Sequence, residues 1–115
     1  MKIDRVTYML MAQDMGQAVA FYRDVMGLEL RSQSPMWSEL AFGDATIALH
    51  GGGSGEFQKT GLSFQVSDIG AACDEVRSGG GRVLSGPEDR SGEGIRLAEL
   101  SDPEGNGFML SQYAG

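Results

Sequence analysis

The feature of this sequence that most constrains its fold is an internal repeat with a period of 54 residues. A chain of 115 residues is long enough for one domain with a core but too short for two independent domains. The repeat therefore divides one domain into two similar halves. The residues that coincide after the shift are Asp14 and Asp68, Gly16 and Gly70, Ala18 and Ala72, Arg23 and Arg77, Gly27 and Gly81, and Leu30 and Leu84.

Each half predicts one amphipathic helix. In the first half, Asp14 is a favourable N-cap, Gln17 can complete a capping box, and Gly27 is expected to end the helix in a left-handed conformation. The predicted buried stripe follows helical spacing. It contains Met15, Ala18, Val19, Tyr22 and Met26 in the first helix, and Ile69, Ala72, Cys73 and Val76 in the second.

Strands are predicted around each helix in the order strand–helix–strand–strand–strand. The pair Gly43-Asp44 between alternating runs predicts a hairpin, and "SDPEGN" predicts a turn with proline at its second position. The segment "SGPEDRSGE" is expected to be a loop, either a solvated connection or a mobile flap. The predicted fold is α+β with two βαβββ modules, at residues 1–52 and 61–115, joined by a glycine-rich linker at 53–60.

Charge and cysteine content exclude several classes of function. The formal net charge of −7 argues against nucleic acid and anionic membranes as partners, since both attract basic surfaces. No apolar run reaches the roughly 20 residues of a membrane-spanning helix. Cys73 is the only cysteine, so an internal disulfide is impossible and a cytoplasmic location is expected. Its place on the buried stripe predicts a small core residue.

Three segments in order resemble the vicinal oxygen chelate superfamily, which contains glyoxalase I, bleomycin-resistance proteins and extradiol dioxygenases. The segments are "AFYRDVMGLEL", "FQVSDI" and "DPEGN". The resemblance implies that each half curls its strands into a cup with the helix outside. It also implies a homodimer in which first-half and second-half modules from different chains complete each cavity.

The resemblance further implies where metal-using relatives hold a divalent ion. Their four ligands are His, Gln or Glu side chains, and the matching positions here are Thr7, Ala48, Gly61 and Met109. A threonine hydroxyl is a weak ligand, alanine and glycine have no donor, and methionine sulfur is soft. We therefore expect no metal and no other cofactor.

Strand alternation predicts which side chains face the cup. Methionine adapts to irregular ligand shapes and an indole offers a flat stacking surface, although the same residues could fill the core or a dimer interface. The side of Glu99 stays ambiguous. The residues predicted to contact a ligand are Thr7, Met9, Met11, Trp37, Glu39, Ala48, His50, Ser63, Gln65, Met109 and Ser111.

His50 is the only histidine in the chain. The hairpin register places it opposite Trp37 and diagonal to Glu39, within reach of a long side chain. Three interpretations stay open: a residue at the cup rim without a role, a polar anchor for a ligand, or a base in a hydrogen-bonded pair with Glu39.

The sequence thus predicts a metal-independent small-molecule-binding protein of the glyoxalase or bleomycin-resistance type, with an apolar or aromatic ligand in a Met/Trp-lined cup. The alternative is a lyase or isomerase that uses Glu39 and His50 or a noncanonical metal site. A third possibility is a dimeric interaction module whose cup is filled by its own side chains.

Overall fold

Two four-stranded mixed sheets, each with one helix, form the architecture. The computed structural model describes residues 1–90 and 92–113. The first unit ends at Glu56 and the second begins at Phe57. The first unit contains β1 (Thr7–Ala12), α1 (Met15–Ala20), β2 (Glu29–Ser32), β3 (Trp37–Phe42) and β4 (Ala45–Gly51). The second contains β5 (Gln58–Gln65), α2 (Ile69–Ser78), β6 (Arg82–Arg90), β7 (Ile95–Ser101) and β8 (Asn106–Tyr113).

The two sheets have the same topology, which confirms the predicted pair of βαβββ modules. Their strand orders are β1-β4-β3-β2 and β5-β8-β7-β6. The first strand of each unit runs parallel to the last, and the other pairs are antiparallel. Strand β5 begins at Gln58, inside the segment predicted as a linker.

The first helix begins as predicted and ends differently. The Asp14 side chain caps it by accepting from the backbone N–H of Gln17 at 3.1 Å. From Phe21 to Val25 the chain continues as a π-helical turn, in which Phe21 and Tyr22 are both buried. The α-helical stripe did not predict a buried Phe21. Gly27, with φ of +79°, ends the segment in the left-handed region as expected.

The second helix follows its predicted pattern closely. The Asp68 side chain accepts from the backbone N–H of Ala71, and Ile69, Cys73 and Val76 are buried. Burial raises the pKa of the Cys73 thiol. Cys73 is therefore a core residue with little thiolate character, as its position on the stripe predicts.

Each helix covers one face of its own sheet. In the first unit, Leu40 pairs with Ile47 on that face, and both are buried together with Leu10 and Leu49. Phe42, on the same face at the hairpin end, lies beyond the helix and is exposed. The opposite face of each sheet carries no helix of its own unit and is called here the open face.

Strand β6 replaces most of the predicted loop "SGPEDRSGE". It pairs with β7 as far as Arg90, with register shifts on both sides of Ser85. Because β6 is an edge strand, Pro87 can lie in it without removing a hydrogen bond between strands, although proline has no backbone N–H. Residues 92–94 form a turn at the end of the segment that was predicted as a loop. Ser91, which belongs to the same predicted loop, lies outside the described residues.

The predicted turn between β7 and β8 is organised by the buried carboxylate of Asp102. Its Oδ1 accepts from the backbone N–H groups of Glu104 at 2.9 Å and Asn106 at 2.8 Å. Its Oδ2 accepts from the Asn106 side chain at 2.9 Å. These bonds fix the turn and hence the register of β7 against β8. Within residues 1–90 and 92–113, neither helix is long and apolar enough to cross a membrane.

Candidate functional site

The register of the first sheet places the predicted ligand residues of this unit on its open face. Thr7, Met9 and Met11 of β1 pair with Thr46, Ala48 and His50 of β4. Across the hairpin, Trp37 pairs with His50 and Glu39 with Ala48, as the Gly43-Asp44 turn predicts. Paired residues share a face, so the sequence correctly grouped this set. Its members are Thr7, Met9, Met11, Trp37, Glu39, Ala48 and His50.

Large apolar side chains on this face remain accessible. Met9 is 52% exposed and Trp37 is 37% exposed, whereas Ala48 in the middle of β4 is fully buried. An accessible indole beside a methionine is an amphipathic surface that suits a flat apolar ligand.

The Trp37 indole is held by a charged neighbour. Its Nε1–H donates to Oε2 of Glu39 at 2.8 Å. The guanidinium of Arg5 donates to the same carboxylate, through Nη1 to Oε1 at 2.7 Å and through Nη2 to Oε2 at 3.5 Å. The indole N–H first, and the Arg5 guanidinium second, hold the pKa of Glu39 below its ordinary value of 4.5. Glu39 is therefore a carboxylate whose two oxygens are engaged by donors.

Of the three interpretations of His50, the hydrogen-bonded pair with Glu39 is not the one that the structure shows. The hydrogen bonds of Glu39 go to Arg5 and Trp37, and Nδ1 of His50 lies 2.6 Å from the carbonyl oxygen of Gly51. Because a carbonyl only accepts, Nδ1 carries the proton and Nε2 has the lone pair in the neutral ring. The imidazole packs edge-on against Trp37, with ring centroids 6.0 Å apart. His50 thus supports one side of the indole.

The second sheet places its predicted ligand residues on its own open face. Ser63 and Gln65 of β5 pair with Met109 and Ser111 of β8. Glu99 pairs with Met109, so it lies on the same face. The buried Asp102 turn fixes this relationship, and counting back from that turn would have resolved the side of Glu99 in the sequence.

A mostly apolar cavity of about 170 Å³ opens in the second unit. Met109, which was predicted, lines it together with residues that the sequence did not single out. Phe57 and Lys59 lie in the segment predicted as a linker, and Leu84 lies at the first register shift of β6, between Val83 and Ser85. The complete lining is Phe57, Lys59, Thr60, Leu84, Glu99, Leu100, Gly107, Phe108 and Met109.

The absence of a side chain at Gly107 gives this cavity its shape. A Cβ at this position would stand 2.9 Å from two ring carbons of Phe57, so the ring lies directly over the backbone of β8. The charged groups of the wall are Glu99 and Lys59. Glu99 Oε2 accepts a long hydrogen bond of 3.4 Å from Ser85. Lys59 and Glu99 are both exposed, so both charges are accessible to a ligand.

The side chains at the four metal-ligand positions do not fit a divalent ion. Thr7 and Ala48 lie on the first sheet, and Gly61 and Met109 belong to the second unit. Their side chains offer one hydroxyl and one thioether, which are poor donors for hard or borderline divalent ions. No group of three or more His, Cys, Asp or Glu side chains suited to a metal is found among residues 1–90 and 92–113.

Paired βαβββ units with open sheet faces define a class of small proteins that bind or transform small molecules. This chain belongs to the Glyoxalase/Bleomycin resistance protein/Dioxygenase superfamily, whose family model matches residues 2–110. The family assignment made from the three sequence segments is therefore confirmed.

Individual relatives differ in what they do. The chain is 29% identical over 119 residues to a probable lactoylglutathione lyase from Vibrio cholerae serotype O1, which covers 90% of this chain and 86% of the relative. It is 27% identical to TnmS3, an antibiotic binding protein from Streptomyces sp. CB03234, with a TM-score of 0.76 and 99% of both chains covered. The fosfomycin resistance protein FosX from Listeria monocytogenes shares the fold, with a TM-score of 0.80, 16% identity, and 97% of this chain and 94% of that chain covered.

Proposed function

We propose that this protein binds an apolar or aromatic small molecule without using a divalent metal. The observation that carries the proposal is the cavity of the second unit, whose wall is mostly apolar and includes Met109 and Glu99. Ligand sites typically combine an apolar lining with a few polar groups that orient the ligand.

The size of the cavity sets the size of the group that enters it. An engineered cavity of about 150 Å³ in another protein holds one benzene molecule. The cavity of about 170 Å³ here therefore suits one aromatic ring or a similar apolar group. A larger ligand would place one ring in the cavity and the remainder outside it.

The open face of the first sheet supports the same function. Trp37 and Met9 are accessible there, and exposed large apolar side chains grouped on one face are typical of binding surfaces. The similarity to an antibiotic binding protein from Streptomyces favours a ligand of natural-product type.

The chemistry of Glu39 argues against its use as a base. A carboxylate that accepts from both Arg5 and Trp37 is stabilised in its ionised form. Such a group has a lowered pKa and is a weaker proton acceptor. This favours binding over acid–base catalysis at the first sheet.

Fluorescence of N-phenyl-1-naphthylamine, a neutral apolar probe, tests the proposal. We expect saturable binding that Leu84→Glu weakens by at least about tenfold, because a charge then stands in the cavity wall. Phe42→Ser is the matched control, since it removes an exposed apolar side chain from the first unit. Equal affinities of the two variants would contradict a site in the cavity.

A lyase activity is the second candidate, favoured by the 29% identity to a probable lactoylglutathione lyase. The test is turnover of the hemithioacetal of methylglyoxal and glutathione, with Ni²⁺ or Zn²⁺ added. The donor set at Thr7, Ala48, Gly61 and Met109 predicts no turnover above that of the free metal. Metal-dependent turnover by the protein would favour the lyase.

A further inference from the structure

We infer that Arg5 and Glu39 are positioning residues for Trp37, and that Arg5, by pairing with Glu39, prevents this surface from preferring cationic over uncharged planar aromatic ligands. The inference rests on the proposed function, because it assigns roles within a ligand-binding surface. It concerns the first unit alone.

Three side chains, those of Trp37, Glu39 and Arg5, are linked in a row by hydrogen bonds. Trp37 and Glu39 lie two residues apart on β3, so both point to the open face. The indole Nε1–H donates to Glu39 at 2.8 Å, and Arg5 donates to the same carboxylate at 2.7 Å. Arg5 precedes β1, so the first residues of the chain are tied to the middle of the sheet.

This arrangement fixes the indole through its N–H edge, while Trp37 stays 37% exposed. The Glu39 side chain is only 17% exposed, so its bond to Trp37 is partly shielded from water. On another side, the His50 ring meets the indole at an interplanar angle of 88°. An aromatic side chain that is held before binding loses less conformational entropy when a ligand stacks on it.

The Glu39 carboxylate beside the indole is already paired. The Arg5 guanidinium forms an ion pair with it at 2.7 Å. A cationic ligand stacked on Trp37 would therefore compete with Arg5 for this carboxylate. Without Arg5, the same carboxylate would stand unpaired next to the stacking surface and attract cations.

The positioning role is tested first, without ligand. Trp37 is the only tryptophan, so the protein has one indole N–H resonance in its ¹⁵N–¹H spectrum. We expect Glu39→Ala to speed solvent exchange of this proton at least about tenfold, because its acceptor is lost. Glu39→Gln, which keeps an acceptor, should change the rate much less. Glu29→Gln, which removes a carboxylate from β2, should leave the exchange rate of the indole proton unchanged. Identical exchange in wild type and Glu39→Ala would overturn the positioning role.

Specificity is tested with two probes of nearly the same shape, neutral acridine and cationic 10-methylacridinium, by quenching of Trp37 fluorescence at pH 8. In the wild type the two affinities should lie within about threefold. Arg5→Gln should shift the ratio by about fivefold towards the cation, as expected for an exposed charge pair. Arg23→Gln, which removes a cation from the exposed ion pair with Asp24 in the helical segment, should leave the ratio unchanged.

The outcomes distinguish a failure of the roles inferred for Arg5 and Glu39 from a failure of the proposed ligand-binding function. An unchanged ratio in Arg5→Gln would overturn the specificity role even where both probes bind. Failure of both probes to quench Trp37 would overturn stacking at this surface. In that case binding of N-phenyl-1-naphthylamine to the cavity of the second unit still decides the proposed function by itself.

Discussion

Glu99 and Met109 pair directly across β7 and β8, so a carboxylate and a thioether stand side by side in the wall of one cavity. Lys59 provides the opposite charge in the same wall. The cavity is therefore apolar inside, with two charges that can orient a ligand.

These two charges should act in opposite directions on a charged ligand. We expect Glu99→Gln to weaken binding of 1-naphthylmethylammonium by about fivefold, the effect of losing one exposed ion pair. Lys59→Gln should strengthen it. Neutral 1-naphthalenemethanol serves as the control in calorimetric titrations, and its affinity should change little. Equal effects on the cation and the alcohol would show that these residues act through shape and not through charge.

Gly107 should be required for the cavity more than for folding. A Cβ in Gly107→Ala meets the outer ring atoms of Phe57 at 2.9 Å. Because that ring is exposed and can rotate, we expect a cost of about 1 kcal/mol in unfolding free energy, at the low end for overpacking. The affinity for N-phenyl-1-naphthylamine should fall by a larger factor than the stability, since the Phe57 ring forms part of the cavity wall. Gly16→Ala, on an open helix position, is the control and should stabilise the fold by about 0.5–1 kcal/mol. Gly107→Ala with unchanged probe affinity would remove Phe57 from the site.

Glu39 should make the stability of the protein depend on acid pH. Its pKa is lowered on folding from an ordinary value of 4.5, so the folded state binds this proton less readily than the unfolded chain. The stabilisation is fully present above that ordinary value, and it is lost as the pH falls through the lowered pKa. Urea unfolding of the wild type and Glu39→Gln between pH 2.5 and 7 measures the difference. The difference in unfolding free energy between the wild type and Glu39→Gln should become smaller towards low pH. A difference that does not change with pH would contradict the ion-pair geometry.

The Asp102 turn should be a main contributor to the stability of the second unit. Asp102→Ala removes the carboxylate that accepts from two backbone N–H groups and from the Asn106 amide in a buried turn. We expect a loss of about 3 kcal/mol in unfolding free energy, since hydrogen bonds to a charged group are among the stronger ones. Asp74→Ala removes an exposed carboxylate paired with Arg77, and should cost less than about 1 kcal/mol. Similar losses in the two variants would mean that the turn is held mainly by other contacts.

Most of the fold followed from local rules in the sequence. The residues Asp14 and Asp68 begin the two helices, and Gly43-Asp44 sets a hairpin register that pairs Trp37 with His50. Because side chains alternate along a strand, this register and the repeat were enough to group the residues of each open face.

Other features depend on tertiary contacts that leave no local pattern. Phe21 is buried at the start of a π-helical turn, and β6 continues through Pro87 because an edge strand tolerates the missing N–H. Arg5 reaches Glu39 across 34 positions in the chain, and Phe57 covers Gly107 from a segment read as a linker. The sequence left a hydrogen bond between Glu39 and His50 open, because it could not show that Arg5 and Trp37 donate to that carboxylate.

The central claim is ligand binding in the second unit without a divalent metal. The most direct measurement is the affinity of N-phenyl-1-naphthylamine for protein treated with excess EDTA and dialysed, with metal content determined by elemental analysis before and after. The account predicts a substoichiometric metal content and the same dissociation constant for treated and untreated protein. Stoichiometric metal together with loss of binding on its removal, restored by Ni²⁺ or Zn²⁺, would contradict it.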